Sequence, residues 1–146
     1  MLNFTTGDMF EQPADARVNT VNCVGVMGKG IALEFKLRYP RMAREYRAAC
    51  NRREIRPGDI WEWRADESFL IFNMATKNHW QDPSRYEWIA AGLLNLRQGI
   101  ITSGALAITM PAPGCGLGGL DWRKVRPLVE MYLGDLPQRI TCYEPI

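Results

Sequence analysis

The amino-acid sequence predicts an α/β fold, a mixed and largely parallel sheet covered by helices on both faces. Two observations carry that prediction. Strand-like and helix-like segments alternate along the chain, the order that builds sheets of this kind. Two glycine-rich segments, Gly25–Gly30 and Gly114–Gly119, each lie between a strand and a helix. Open α/β sheets bind their ligands there, at the carboxyl ends of strands. A chain of 146 residues fits one domain and is long enough to bury a core without disulfides or metals.

In order, Leu2–Thr5 reads as a short opening strand and Ala16–Asn22, with Val18 and Val21 inward, as a second. Ile31–Arg38 sets Ile31, Phe35 and Leu37 among charged residues, as in a helix that stops near Pro40. Arg41–Cys50 continues as another helix. Arg56-Pro-Gly-Asp59 is a turn, and Ile60–Trp63 and Phe69–Asn73 read as paired strands. Ser84-Arg-Tyr-Glu87 has the form of a capping box, and the helix it opens gathers Ile89, Leu93, Leu96 and Ile100 on one face. Ala105–Met110 is a buried strand leading into the second glycine loop. Asp121 caps a helix over Trp122–Leu133, and Arg139–Tyr143 is the last strand.

Several function classes are excluded or disfavoured. No apolar run approaches the ~20 residues of a membrane helix. Met1–Asp8 has neither the basic start nor the apolar stretch of a signal peptide, so the cytoplasm is the expected location and no membrane partner is expected. Four scattered cysteines (Cys23, Cys50, Cys115, Cys142) and one histidine do not make a zinc site. The cysteines read as free thiols, and no histidine or carboxylate adjoins Cys23 or Cys115 in sequence to activate it. The net charge is only +2, yet seven of the fourteen arginines fall between Arg38 and Arg56. That run is either a solvated helix face, with Glu45 and Glu54 mixed in, or a surface that makes binding to a phosphate backbone salt-sensitive.

The first loop, Gly25-Val-Met-Gly-Lys-Gly30, has three glycines in six residues, and the second has four in six. Bare backbone approaches a ligand closely, and the amides at the start of the following helix favour an anion. Neither loop has the spacing of a phosphate loop or a dinucleotide fingerprint, which removes ordinary NTPases and dehydrogenases. A tight turn alone would also explain the first loop; two cradles facing one crevice fit a diphosphate. Asp8 can accept from an exocyclic base amine or cap a turn. Asn22 can meet a ribose hydroxyl or serve as a turn residue. Lys77 stands out because the chain has only four lysines. Lysine, unlike arginine, can lose its proton when partly desolvated and act as a nucleophile or base; an exposed surface lysine is the alternative.

Taken together, Gly7-Asp8, Val18-Asn-Thr-Val-Asn22, Gly25-Val-Met-Gly-Lys-Gly-Ile-Ala-Leu-Glu-Phe35, Thr76-Lys77 and Gly114-Cys-Gly-Leu-Gly-Gly-Leu120 resemble a macrodomain over essentially the whole chain. The form of the first loop and the Thr-Lys pair are similar to the DarG-type branch of DNA ADP-ribosyl glycohydrolase antitoxins, related to terminal ADP-ribose protein glycohydrolase. The resemblance implies a three-layer α/β/α sandwich with an ADP-ribose cleft and no cofactor or metal. It implies that Asp8 holds the adenine and Asn22 the distal ribose, with Met9, Thr20, Val21 and Thr76 among the other ADP-ribose-binding residues. Ile31, Ala32, Leu33 and Glu34 would meet the diphosphate together with Gly114, Cys115, Gly116, Leu117 and Gly118. Lys77, beside Thr76, would be the catalytic residue near the anomeric carbon of the distal ribose. The protein glycohydrolase has an aspartate in its second loop where this chain has glycine around Gly118, which weakens a lysine–aspartate mechanism on glutamyl esters. The implied substrate is ADP-ribosylated thymidine in single-stranded DNA, and the implied partner is a DarT-like toxin met by a further C-terminal domain. Removal of ADP-ribose from acidic side chains and simple ADP-ribose reading are the alternatives.

Overall fold

The computed structural model describes residues 1–146. Six strands form one sheet: β1 (Leu2–Thr5), β2 (Ala16–Asn22), β3 (Ile60–Asp66), β4 (Phe69–Lys77), β5 (Ala107–Pro111) and β6 (Arg139–Tyr143). Their spatial order is β1-β6-β5-β2-β4-β3. All neighbours run parallel except β3, which pairs antiparallel with β4 at the edge. Four helices, α1 (Gly30–Arg38), α2 (Pro40–Asn51), α3 (Tyr86–Ser103) and α4 (Trp122–Leu133), complete the three-layer α/β/α sandwich.

Each strand of the sheet's interior buries both faces, so two cores form. The larger lies under α3 and α4, where Ile89, Leu93, Leu96 and Ile100 meet Val18, Phe72 and Ile108. The smaller lies under α1 and α2 and joins Phe35, Met42 and Tyr46 to Val21, Ile71 and Ala75. Each such side chain, fully buried, contributes ~1.5–3 kcal/mol.

Most elements stand where the sequence places them, and the differences have local causes. Pro40 opens α2 rather than merely ending α1; its fixed φ and missing N–H suit the first helical turn. β4 runs four residues past Asn73. It is carried by parallel pairing with β2 that reaches Lys77 opposite Asn22. β5 begins at Ala107, two residues later than expected, after Asp15 has taken the amides of Leu106 and Ala107 on its carboxylate.

The capping box does not form. Arg85 is the N-cap of α3 and no side chain caps it. Ser84 is instead drawn into a tertiary contact: its amide donates to Gly118 O at 3.0 Å, and its buried Oγ has no partner. Asp121, by contrast, caps α4 as expected and accepts from Arg123 N at 2.9 Å.

Candidate active site: a cleft at the carboxyl edge of the sheet

The carboxyl ends of β2, β4, β5 and β6, together with the turn after β1, open onto one cleft of about 720 Å³. It is lined by Asp8, Met9, Thr20, Val21, Asn22, Ile31, Ala32, Glu34, Thr76, Lys77, Gly114, Gly116, Leu117 and Gly118. These segments are far apart in sequence, and parallel pairing is what brings them to one edge.

At one end, Asp8 Oδ1 accepts from Phe10 N at 2.9 Å, which makes the turn and leaves the second carboxylate oxygen for a ligand. Arg17 holds this turn from beneath. Its buried guanidinium donates to Met9 O, to Phe10 O at 3.4 Å, to Gln12 O at 2.8 Å and to Thr109 Oγ1 at 2.8 Å. Four acceptors surround the buried cation, as such a charge requires. Burial lowers its pKa, opposed by Tyr39 and other acidic groups. Phe10 and Tyr143 complete this end, and Tyr143 is fixed by its hydroxyl donating to Gln12 Oε1 at 2.7 Å.

The first glycine loop is clamped by Asn22. Its Oδ1 accepts from Val24 N and Val26 N, and Nδ2 donates to Val26 O at 2.8 Å. One N–H of Nδ2 remains for a ligand. Buried Tyr46 of α2 donates to Asn22 O at 2.8 Å and fixes the strand end. Gly25 is obligatory: its φ is +77°, and a β-carbon there would lie 2.8 Å from Arg47 Cα. At the start of α1 the amides of Ile31 and Ala32 have no acceptor within the protein, whereas Leu33 N already bonds Lys29 O at 3.3 Å. Free amides at a helix N-terminus are what a phosphate oxygen needs.

Across the cleft the amides of Gly116, Leu117 and Gly118 are likewise unpaired. Gly118 packs against its own loop. A β-carbon on it would overlap Ser84 Oγ and stand 2.5 Å from Gly114 O. That carbonyl is itself pinned by Leu120 N at 2.9 Å. No side chain fits at 118, acidic or otherwise. The two loops nearly touch, since a β-carbon on Gly30 would stand 3.7 Å from Leu117 Cδ1.

Lys77 sits half-buried at the end of β4, with Nζ donating to Trp80 O at 3.3 Å. Partial burial lowers its pKa from the ordinary 10.5, and Asp82 opposes the shift. Three carboxylates line the same cleft, and each has another attachment. Asp8 makes its turn, Glu34 pairs with Arg38 at 3.4 Å, and Glu144 accepts from Trp122 Nε1 at 2.9 Å and Arg126 at 3.1 Å. Burial thus leaves Lys77 as an amine of lowered pKa in the cleft, to which the second loop contributes free amides and no carboxylate.

Two expected lining residues do not line the cleft. Leu33 is not among the lining residues, and its amide is already taken by Lys29 O in the first helical turn. The Cys115 amide bonds Ala112 O at 3.3 Å, and its side chain packs against the larger core. All four cysteines are free. Burial pushes the thiol pKa of Cys23 and of Cys142 up to about 12 and that of Cys115 up to about 11, well away from nucleophilic thiolates. No residue of the Arg38–Arg56 run lines the cleft. Arg38, Arg41 and Arg52 are paired with Glu34, Glu45 and Glu54. No group of three or more His, Cys, Asp or Glu side chains is arranged to hold a metal ion, and no helix is long and apolar enough to cross a membrane.

The sequence reading missed Phe10, Trp80 and the run Tyr143-Glu144-Pro145, all in the cleft. A usable signal existed for the last three: β6 ends at the same edge as the other parallel strands, and residues following such strands face the ligand.

A fold of this topology with two amide cradles at one edge defines a macrodomain, and the family model described as Macro domain matches residues 18–129. The chain belongs to that family. Among its relatives, the DNA ADP-ribosyl glycohydrolase of Mycobacterium tuberculosis is 41% identical over 140 residues, covering 94% of this chain and 40% of that protein. The macrodomain of Thermus aquaticus DarG superimposes with a TM-score of 0.92 at 40% identity and covers 99% of both chains. A solved structure described as Thermosipho africanus DarTG in complex with ADP-ribose gives a TM-score of 0.91 at 31% identity over 99% of this chain and 42% of the other. The chain spans about two fifths of the length of the curated glycohydrolases it matches.

Proposed function

We propose that this macrodomain binds ADP-ribose in the cleft and hydrolyses its glycosidic bond to a thymine base in single-stranded DNA. The observation that carries the reading is Lys77. It is a partly desolvated amine at the end of β4, on the same cleft as a second loop that has no room for a carboxylate at Gly118. The names of the relatives from Mycobacterium tuberculosis and Thermus aquaticus support the substrate, and the Thermosipho africanus complex supports the ligand.

In this reading Asp8 takes the adenine amine, and Asn22, Thr20 and Val21 flank the distal ribose. The free amides of Ile31, Ala32, Gly116, Leu117 and Gly118 take the diphosphate. Binding energy from those distant groups orients the anomeric carbon toward Lys77. The bond from that carbon to the base nitrogen breaks, a water oxygen takes its place, and the nitrogen recovers a proton. Lys77 acts on the anomeric carbon either as a neutral amine attacking it or as an ammonium polarising the sugar. In the whole protein the same proposal includes the role of antitoxin to a DarT-like transferase in the cytoplasm, with a further domain contacting that toxin.

The deciding experiment gives a thymine-ADP-ribosylated single-stranded oligonucleotide to the wild type and to Lys77→Ala, and follows release of ADP-ribose by mass spectrometry. Release by the wild type and its loss in the variant are expected. A modified oligonucleotide left intact by the wild type, or a variant of equal rate, overturns the proposal; release only from modified acidic side chains selects the protein-directed alternative.

A further inference from the structure

Ten large apolar side chains are exposed in this protein, and three of them, Val26, Trp80 and Leu117, line the one cleft. A tryptophan left 48% exposed forgoes much of its burial energy, and exposed apolar side chains gathered on one cleft mark a contact surface. Trp80 is also tied to the reacting end: its carbonyl takes the Lys77 Nζ bond at 3.3 Å. The indole and the amine therefore sit on one four-residue segment. His79 leans against the indole with ring centroids 5.5 Å apart and planes 30° apart, and its own Nδ1 accepts from Gln81 N at 3.2 Å. The indole thus has one tilted ring neighbour and remains 48% exposed on the cleft.

We propose that Trp80 is the stacking platform for the leaving base, and so makes this site select nucleobase-linked ADP-ribose over conjugates whose attached group has no ring. In this proposal the group joined to the anomeric carbon beside Lys77 lies against the 77–80 segment, whose Trp80 lines the same cleft. A nucleobase offers a π-face to the indole, whereas a carboxylate ester offers none. Stacking of a base on an aromatic side chain is sequence-tolerant, so Trp80 discriminates by chemical class and not by base order. The catalytic part of this inference rests on the proposed glycohydrolase activity; the binding part does not.

The test therefore measures binding in a Lys77→Ala background by calorimetry, using free ADP-ribose and a thymine-ADP-ribosylated oligonucleotide, with Trp80→Ala and Trp80→Phe added separately. The conjugate is expected to bind more tightly than free ADP-ribose, and Trp80→Ala is expected to weaken only the conjugate, by about 5- to 150-fold. Trp80→Phe retains most of the advantage. A conjugate with no advantage over free ADP-ribose, an advantage untouched by Trp80→Ala, or an equal loss for both ligands overturns the inference. A Trp80-dependent advantage in a protein whose wild type releases nothing sustains the platform and refutes the glycohydrolase activity.

Discussion

Replacing Gly118 by alanine adds one carbon at the tightest point of the second loop. That carbon would stand 2.5 Å from Gly114 O and 3.0 Å from Gly114 C, and would overlap Ser84 Oγ. Ordinary carbon–oxygen contacts need about an ångström more. Gly114 O is not free to give way, because Leu120 N holds it at 2.9 Å; Ser84 Oγ has no partner, but its backbone is held where Ser84 N donates to Gly118 O at 3.0 Å. Overpacking of this kind costs ~1–3 kcal/mol, a fall in Tm of about 3–10 °C for a domain of this size. Displacing the loop also misaligns the amides of Gly116, Leu117 and Gly118. Hydrogen bonds to a charged ligand are worth ~1.5–3 kcal/mol each, so ADP-ribose affinity should fall about 10- to 100-fold. Calorimetry and thermal melting measure the two effects. Ser84→Ala separates their causes: its hydroxyl has no partner, so its removal alone costs little. In combination it should restore part of the Tm and little of the affinity, because Gly114 O remains in the way. A Gly118→Ala protein that binds and melts like the wild type refutes the argument. Aspartate has the same β-carbon, so Gly118→Asp inherits the cost and does not graft an acid onto the loop.

Two further outcomes follow from the charged and sulfur groups. Turnover should show one alkaline-side transition from Lys77, below the ordinary lysine value of 10.5 because burial lowers it, and absent in Lys77→Arg. A rate that climbs through it identifies the neutral amine as the working form, one that falls identifies the ammonium, and a flat profile excludes both roles. Iodoacetamide at neutral pH should leave the folded protein's four thiols largely unmodified, since burial holds Cys23, Cys115 and Cys142 at about 11–12 and raises Cys50; rapid labelling of Cys23 or Cys115, read by intact mass, contradicts this.

Much of this was legible because local and tertiary preferences agree. Ile89, Leu93, Leu96 and Ile100 are apolar at helical spacing and all buried, and the glycine loops announced the carboxyl edge. Where the reading erred, a distant partner decided. Asn73 looks like the end of a strand, yet Asn19 Nδ2 donates to its Oδ1 at 3.0 Å and its Nδ2 donates to Trp61 O. A polar residue so satisfied sits in the middle of β4, and the strand delivers Lys77 at its tip. Ser84 has the pattern of a cap but serves Gly118, a partner more than thirty residues away that no local pattern names. Phe10 and Trp80 gave no local signal at all, since a lone aromatic reveals neither its strand end nor its neighbours.

The pairing of β1 with β6 sets an order on how the site comes into being. Met1 O accepts from Ile140 N, and Thr5 O from Glu144 N, so the first strand has no sheet neighbour until the last is in place. Closing a contact across almost the whole chain carries a large loop-closure cost in chain entropy. The part of the cleft that Tyr143 and Glu144 line is complete only when β6 is in the sheet. Ligand binding in the cleft therefore reports on a sheet whose first and last strands have paired.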